Sequence, residues 1–295
     1  MRIATRGSRQ ASTQAGLVAD ALREATGADV ELVIVETTGD RQREVPIHLM
    51  GGQGVFVKEV QQAVLDGRAD VAVHSAKDLP SEPHPELMIA AYCERRDPAD
   101  ALVGLALDAL APGATVATGS VRRRAQLAIA RPDLDFVELR GNITTRLERV
   151  PDGGSIVMAV AALEVLGLTE RIAERLDPQQ FVPAVGQGCV AVECRTDDEA
   201  AAAALATVDH PATRHAVSVE RSFLAELGAG CTLPVGAHVS DGVLRTFLAG
   251  SAPGLTGAIA AAVATDEIQL AGGDGDHELA RSAARDARAA VGGTI

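Results

Sequence analysis

The chain has 295 residues, 47% apolar and 23% charged, enough for two or three globular domains of about 100–150 residues. That composition excludes a disordered, collagenous or small disulfide-framed protein. A net charge of −13, no tryptophan, one tyrosine and five phenylalanines leave neither the basic field nor the aromatic rows that nucleic-acid binding uses.

Met1 to Gln10 carries Arg2, Arg6 and Arg9 without the apolar core of a signal peptide, and no apolar run nears ~18 residues. The expectation is a cytoplasmic chain that does not enter a membrane. Cys93, Cys189, Cys194 and Cys231 form no C-x-x-C pair, so reduced thiols and no metal are expected.

The first two-thirds repeats a short apolar strand, a polar turn and an amphipathic helix. Arg2–Thr5 reads as a strand, Arg6–Ser8 as a turn and Ser12–Ala25 as a helix closed by Gly27. Val30–Glu36 is a β-branched strand, and Val55–Leu65 a helix ending at Asp66-Gly67. Val71–His74 is a continuous apolar strand that runs into Ser75-Ala76-Lys77-Asp78, where Pro80 stops any helix. The unit restarts with a strand at Thr115–Ala117, a Thr118-Gly119-Ser120 turn and a helix over Val121–Ala130. A strand at Phe136–Leu139, the Arg140-Gly141-Asn142 turn and a helix over Ile143–Val150 follow, then a strand at Ser155–Val160 and a helix over Ala161–Leu166. This alternation predicts an α/β fold with mostly parallel sheets. Past Pro211 the pattern changes. Thr213–Leu227 predicts a helix, Val235–Ser240 and Val243–Ala249 a hairpin about Asp241-Gly242, and His277–Val291 a last helix. These make a small α+β domain, an antiparallel sheet with helices on one face.

Ligands of parallel α/β sheets bind beyond the carboxyl ends of the strands. Those ends offer Arg6 and Ser8; Ser75, Lys77 and Asp78; Thr118, Ser120, Arg122 and Arg123; then Arg140 and Arg146. Cations and hydroxyls at helix-opening turns suit a small anion, and the planar arginine fork suits carboxylate or phosphate. Pairing with a surface carboxylate is the alternative for any one arginine, and Arg124 and Arg149 are left to it. Lys58 and Lys77 are the only lysines among 27 basic residues. Asp78 is a candidate general acid or base, or a turn-stabilising cap. His74 is expected to be packed. Cys93, Cys189 and Cys194 read as core residues, whereas Cys231, in a Gly-Ala-Gly-Cys-Thr-Leu-Pro loop, is the candidate for covalent attachment.

Five segments then occur in order: His74-Ser-Ala-Lys-Asp-Leu-Pro80, Thr118-Gly-Ser-Val-Arg-Arg123, Leu139-Arg-Gly-Asn142, Pro183-Ala-Val-Gly-Gln-Gly188 and Gly228-Ala-Gly-Cys-Thr-Leu-Pro-Val-Gly236. Together, from Arg2 to about Gly250, the chain resembles the porphobilinogen deaminase (hydroxymethylbilane synthase) family. The resemblance implies two periplasmic-binding-protein-like lobes around a cleft, 1–93 with 189–210 and 94–188, and a C-terminal α+β domain, 211–295. It implies a dipyrromethane cofactor held by Cys231 through a thioether. Onto this primer four porphobilinogen units are added head to tail, each losing ammonia, to give hydroxymethylbilane for tetrapyrrole (haem) biosynthesis.

Asp78 matches the catalytic acid. Lys77, Ser75, Thr118, Ser120, Arg122, Arg123, Arg140 and Arg146 match cofactor-binding positions. Arg6, Ser8, Arg140 and Arg146 match positions that hold substrate carboxylates. Phe56 and Lys58 match a loop region that covers the cleft. The resemblance also implies a monomer that hands its product to the next enzyme of the pathway. Val165 and Glu164 depart from it, since the family usually has arginine at the position of Val165. A catalytically weak paralogue, a non-enzymatic bilobal carboxylate-binding protein, and a hydrolase using Cys231 with His238 or His215 are the alternatives.

Overall fold

The computed structural model describes residues 1–41, 54, 56–228, 233–250 and 262–292. The chain opens with β1 (Arg2–Arg6), α1 (Arg9–Thr26), β2 (Glu31–Val35), a short α2 (Thr38–Arg41), α3 (Lys58–Leu65), β3 (Val71–Ser75) and β4 (Leu87–Tyr92). It continues through β5 (Asp100–Gly104), β6 (Thr115–Ala117), α4 (Val121–Ala130), β7 (Asp135–Val137), α5 (Ile143–Leu147), β8 (Ser155–Ala159), α6 (Val160–Val165) and β9 (Glu174–Arg175). Then come β10 (Val190–Arg195), α7 (Glu199–Leu205), α8 (Pro211–Glu226), β11 (Val235–Ser240), β12 (Val243–Ala249), β13 (Val263–Gln269) and α9 (Gly275–Ala290).

Local chemistry sets the helix starts. The Ser8 hydroxyl accepts from the Ala11 N–H at the head of α1, Ser120 from Arg123 N–H at α4, and Asn142 from Thr145 N–H at α5. Gln14, Ala15, Val18, Ala19 and Leu22 form the buried stripe of α1. The β11–β12 hairpin turns at Asp241 (φ 52°) and Gly242 (φ 72°), both left-handed as the primed turn requires.

The strands form three sheets, ordered β2-β1-β3-β10-β4, β7-β6-β8-β5-β9 and β11-β12-β13. The two large sheets are mixed, which corrects the expectation of mostly parallel ones. β1 pairs parallel with β2 and β3, and β6 with β7 and β8, but β10 and β5 run antiparallel to both their neighbours. The cause is connectivity. The chain leaves the first sheet after β4 and returns as β10, which inserts between β3 and β4 in the reverse direction. Several element boundaries move. The strand about Phe136 is Asp135–Val137, the helix from Ile143 stops at Leu147, the helix expected over Thr213–Leu227 runs Pro211–Glu226, and the helix before Leu65 begins at Lys58. Val55, where that helix was expected to start, lies outside the described residues.

The small sheet is antiparallel, and α8 and α9 cover one face through Val219, Phe223, Leu244, Leu248, Ala280 and Ala284. Its other face packs Phe247 and Ala249 on Val182, beside Ala125 of α4.

Candidate active site

The carboxyl ends of all three parallel strands in each large sheet meet at one cleft of about 860 Å³. This is near the upper end of small-molecule pockets. The first sheet supplies Arg6, Ser8 and Arg9 after β1, Glu36 after β2, and Lys77 and Asp78 on the 3₁₀ turn after β3. The second supplies Ser120, Arg122 and Arg123 after β6, Arg140 and Arg146 after β7, and Met158, Ala159, Ala162 and Leu166 at and after β8. Gln187 from the return crossing and Gly228 at the end of α8 complete the wall. Ser75 lies in a smaller recess shared with Arg6, Ser8 and Asp78.

The predicted cations are therefore brought together, but not all in the same way. Arg6 stacks on the Phe56 ring, its Cζ 4.0 Å from the centroid. Arg122 and Arg123 are turned inward onto Asp100, which sequence reasoning missed. Arg122 Nη2 donates to Asp100 Oδ2 at 2.7 Å, and Arg123 Nε and Nη2 to Oδ1 at 2.9 and 2.7 Å. Their remaining donors reach the carbonyls of Val182 and Val157. Burial opposes the Asp100 charge, yet the two guanidinium groups hold this carboxyl well below the usual carboxylate range. Arg146 Nε donates to the Gly141 carbonyl at 2.8 Å. Thr118 does not reach the cleft wall. It is 1% exposed, and its hydroxyl accepts from the Ser120 N–H.

The charge balance of the cleft is strongly positive. Burial, Arg123 and Arg140 push Arg146 down to about 10, and burial with Arg123 pushes Lys77 down to about 8. Buried cations crowded against one another form a site that an anion relieves. A group with two pyrroles brings four carboxylates, so the residues present fit dipyrromethane.

Elsewhere, His74 is buried with Nε2 3.1 Å from Glu193 Oε2, as a packed histidine should be. Burial pushes the Cys93 thiol up to about 11 and the Cys189 thiol higher still. His215 Nε2 lies 3.0 Å from Asp276, and His238 Nδ1 lies 3.4 Å from Glu220. Both imidazoles proposed as partners for a nucleophilic cysteine thus sit against buried carboxylates. Arg124 is 4.0 Å from Glu138, and Arg149 donates to the Arg140 carbonyl at 3.4 Å. Cys231, the expected attachment point, lies outside the described residues; Gly228, three positions before it, lines the cleft.

A family model described as porphobilinogen deaminase, dipyrromethane cofactor binding domain, matches residues 1–203. The porphobilinogen deaminase of Acidothermus cellulolyticus is 50% identical over 246 residues, 80% of this chain and 74% of that one. Those of Roseiflexus sp. (strain RS-1) and Nocardia farcinica are 47% and 50% identical over 241 and 242 residues, covering 80% of this chain and 80% and 69% of theirs. A solved methionine-binding protein, MetQ, overlaps 81% of this chain and 98% of its own at 12% identity, with a TM-score of only 0.45. On the family match and the identity to these relatives, the chain belongs to the porphobilinogen deaminase family.

Proposed function

We propose that this protein is a working hydroxymethylbilane synthase. It is a transferase that joins four porphobilinogen units head to tail on a dipyrromethane primer bound to Cys231, releasing one ammonia per unit. One observation carries this reading: a cleft walled by cations from both sheets surrounds a single turn bearing Asp78, and the segment leading to Cys231 begins on its wall. No observation favours the non-enzymatic or hydrolase alternatives.

The primer, when bound, would supply the terminal pyrrole carbon to which the first unit is joined, each later unit joining the one before it. The chain does the rest. Arg6 and Ser8 receive the substrate's carboxylates. Arg140 and Arg146 are shared as the product lengthens. Lys77, Ser75, Ser120, Arg122 and Arg123 set the field that holds the primer, the last two through charge shared with Asp100. Thr118 acts indirectly, by shaping the turn that presents Ser120. Asp78 directs its carboxyl at the reacting pyrroles. It stabilises the cation left when the aminomethyl C–N bond breaks, passes the proton that leaves with ammonia, and takes back the proton released from the pyrrole carbon once the new C–C bond has formed. The apolar patch of Met158, Ala159, Ala162 and Leu166 keeps water from that cation.

The sheet memberships support domain limits at 1–93 with 189–210, 94–188 and 211–295. Three free thiols among the described residues fit a reducing cytoplasm, and a monomer that hands its linear product onward completes the reading. The test is intact mass. The purified protein should carry a covalent excess of two linked pyrroles that Cys231→Ser lacks. A parent chain that stays unmodified after incubation with porphobilinogen would overturn the reading.

A further inference from the structure

The Pro183-Ala-Val-Gly-Gln-Gly188 segment has no part in the chemistry above. It forms the crossing from the second sheet back to the first, and its backbone is tightly constrained. Gly186 and Gly188 sit at φ 69° and 88°; a Cβ would stand 2.9 Å from Ala76 Cβ at the first and 2.6 Å from the Arg96 carbonyl oxygen at the second. Between them Gln187 is 1% exposed.

The Gln187 amide is engaged at both ends. Its Oε1 accepts from Lys77 Nζ at 3.1 Å, while its Nε2 donates to Asp100 Oδ1 at 2.8 Å and to the Pro98 carbonyl at 2.7 Å. Only one orientation satisfies an ammonium on one side and a carboxylate on the other. Its backbone carbonyl accepts from Arg95 Nε at 2.9 Å. Arg95 in turn is clamped by Glu220 of α8, which also accepts from the Gly186 and Val239 N–H groups, each at 2.8 Å. One buried side chain thus joins the lysine of the first lobe to the arginine-bound aspartate of the second, braced by the third domain.

We propose that Gln187 is a positioning residue, holding the Lys77 ammonium next to Asp78 by tying it to Asp100 across the junction of the lobes. Its kinetic consequence rests on the deaminase reading; its effect on Lys77 does not. The groups facing the ammonium are Asp78 on its own turn, Asp100 from β5, and Arg122 and Arg123 from α4. Removing the amide acceptor makes the ammonium easier to deprotonate, and a carboxylate in its place makes it harder.

The test compares Gln187→Met and Gln187→Glu with the parent. Trace acetic anhydride labelling is followed by peptide mass spectrometry from neutral to alkaline pH. With only Lys58 and Lys77 in the chain, Lys58 is the internal control. The Lys77 labelling midpoint should move to lower pH in Gln187→Met and to higher pH in Gln187→Glu, with Lys58 unmoved. In parallel, kcat of Gln187→Met should fall at least about tenfold while KM changes less, the loss expected for one charge-assisted contact. Unmoved Lys77 midpoints, or shifts shared equally by Lys58, would overturn the proposal. So would a shifted midpoint with kcat intact. If Gln187→Met does not fold, the opposite shift in Gln187→Glu decides alone. If the parent makes no hydroxymethylbilane, the functional reading falls while the labelling arm still reports on Gln187.

Discussion

The two large sheets have the same strand pattern, three strands paired in parallel, then one reversed strand and an outer strand antiparallel to it, and both present their parallel carboxyl ends to one cleft. Position by position they furnish it differently. After the central strands β1 and β6, each opens a serine-capped helix with arginine nearby: Ser8 with Arg6, Ser120 with Arg122 and Arg123. After β2 the first sheet shows Glu36, where the second, after β7, shows Arg140 and Arg146. After β3 stand Lys77 and Asp78; after β8, at the equivalent place, stand Ala159, Ala162 and Leu166. The acid is thus unique to one lobe and has an apolar surface for its counterpart. On the proposed function, the same strand pattern carries a reacting side in one lobe and a side that gathers charge and excludes water in the other.

Removing the one group without an equivalent should have the largest effect. Asp78→Asn should lower kcat about 10³-fold, within the range of a lost general acid. The fold should survive, because Asp78 caps no α-helix and stands on a partly exposed turn. Ammonia release alongside circular dichroism measures both. A loss below tenfold would mean that the arginine wall, not the acid, dominates catalysis.

The opposite wall should fail through stability. Asp100→Ala leaves Arg122 and Arg123 buried without their carboxylate, a change that costs about 3–5 kcal/mol. Arg281→Ala, which breaks an exposed pair with Glu278, should cost within about 0.5 kcal/mol. Denaturant melts of both variants measure this contrast. Equal, small losses would show that the inward pair is solvated after all.

Much of this division is legible in the chain, and the remainder fails for a physical reason. The α1 and α4 starts, β3 and the Asp241-Gly242 hairpin follow from caps, periodicity and turn residues that act within a few positions. The cations at strand ends follow from the same local signals. What escapes is whatever topology alone creates: β4 and β10, whose pairing needs the chain to cross lobes twice, and the Asp100 cluster. Asp100 meets its arginines 22 and 23 positions away, and Gln187 meets Lys77 110 positions away. No local pattern carries such partners, so an arginine expected to face a ligand is found facing an aspartate.

Lys77 offers a smaller effect of definite sign. Its folded value, about 8, lies below that of an unfolded lysine, so the empty protein binds fewer protons and gains stability as pH rises between those values. A bound carboxylate relieves the cost of the charge only while the ammonium is present. Affinity of Asp78→Asn, which binds without rapid turnover, for porphobilinogen should therefore weaken about tenfold as pH rises, with a midpoint below the parent's value of about 8 because the variant lacks the Asp78 charge that raises Lys77. Calorimetric titration at pH values on either side tests this. Affinity that is flat across that range would mean the arginines alone hold the carboxylates.

The smallest expected effect comes from the apolar counterface. Val165 ends α6, one helical turn beyond Ala162, which lines the cleft, so the two share a helix face. The family usually has arginine there. Val165→Arg places a cation at a helix C-terminus, where the dipole favours it, at the rim of a site that receives carboxylates. A new, partly exposed pair contributes roughly 0.2–1 kcal/mol, so KM for porphobilinogen should fall by about 1.5- to 5-fold with kcat little changed. Val165→Gln supplies the length without the charge and should leave KM where it was. If both variants improve KM equally, shape rather than charge sets the rim. If neither does, the arginines that follow β6 and β7 already hold every carboxylate, and the apolar counterface is there to exclude water from the acid across from it.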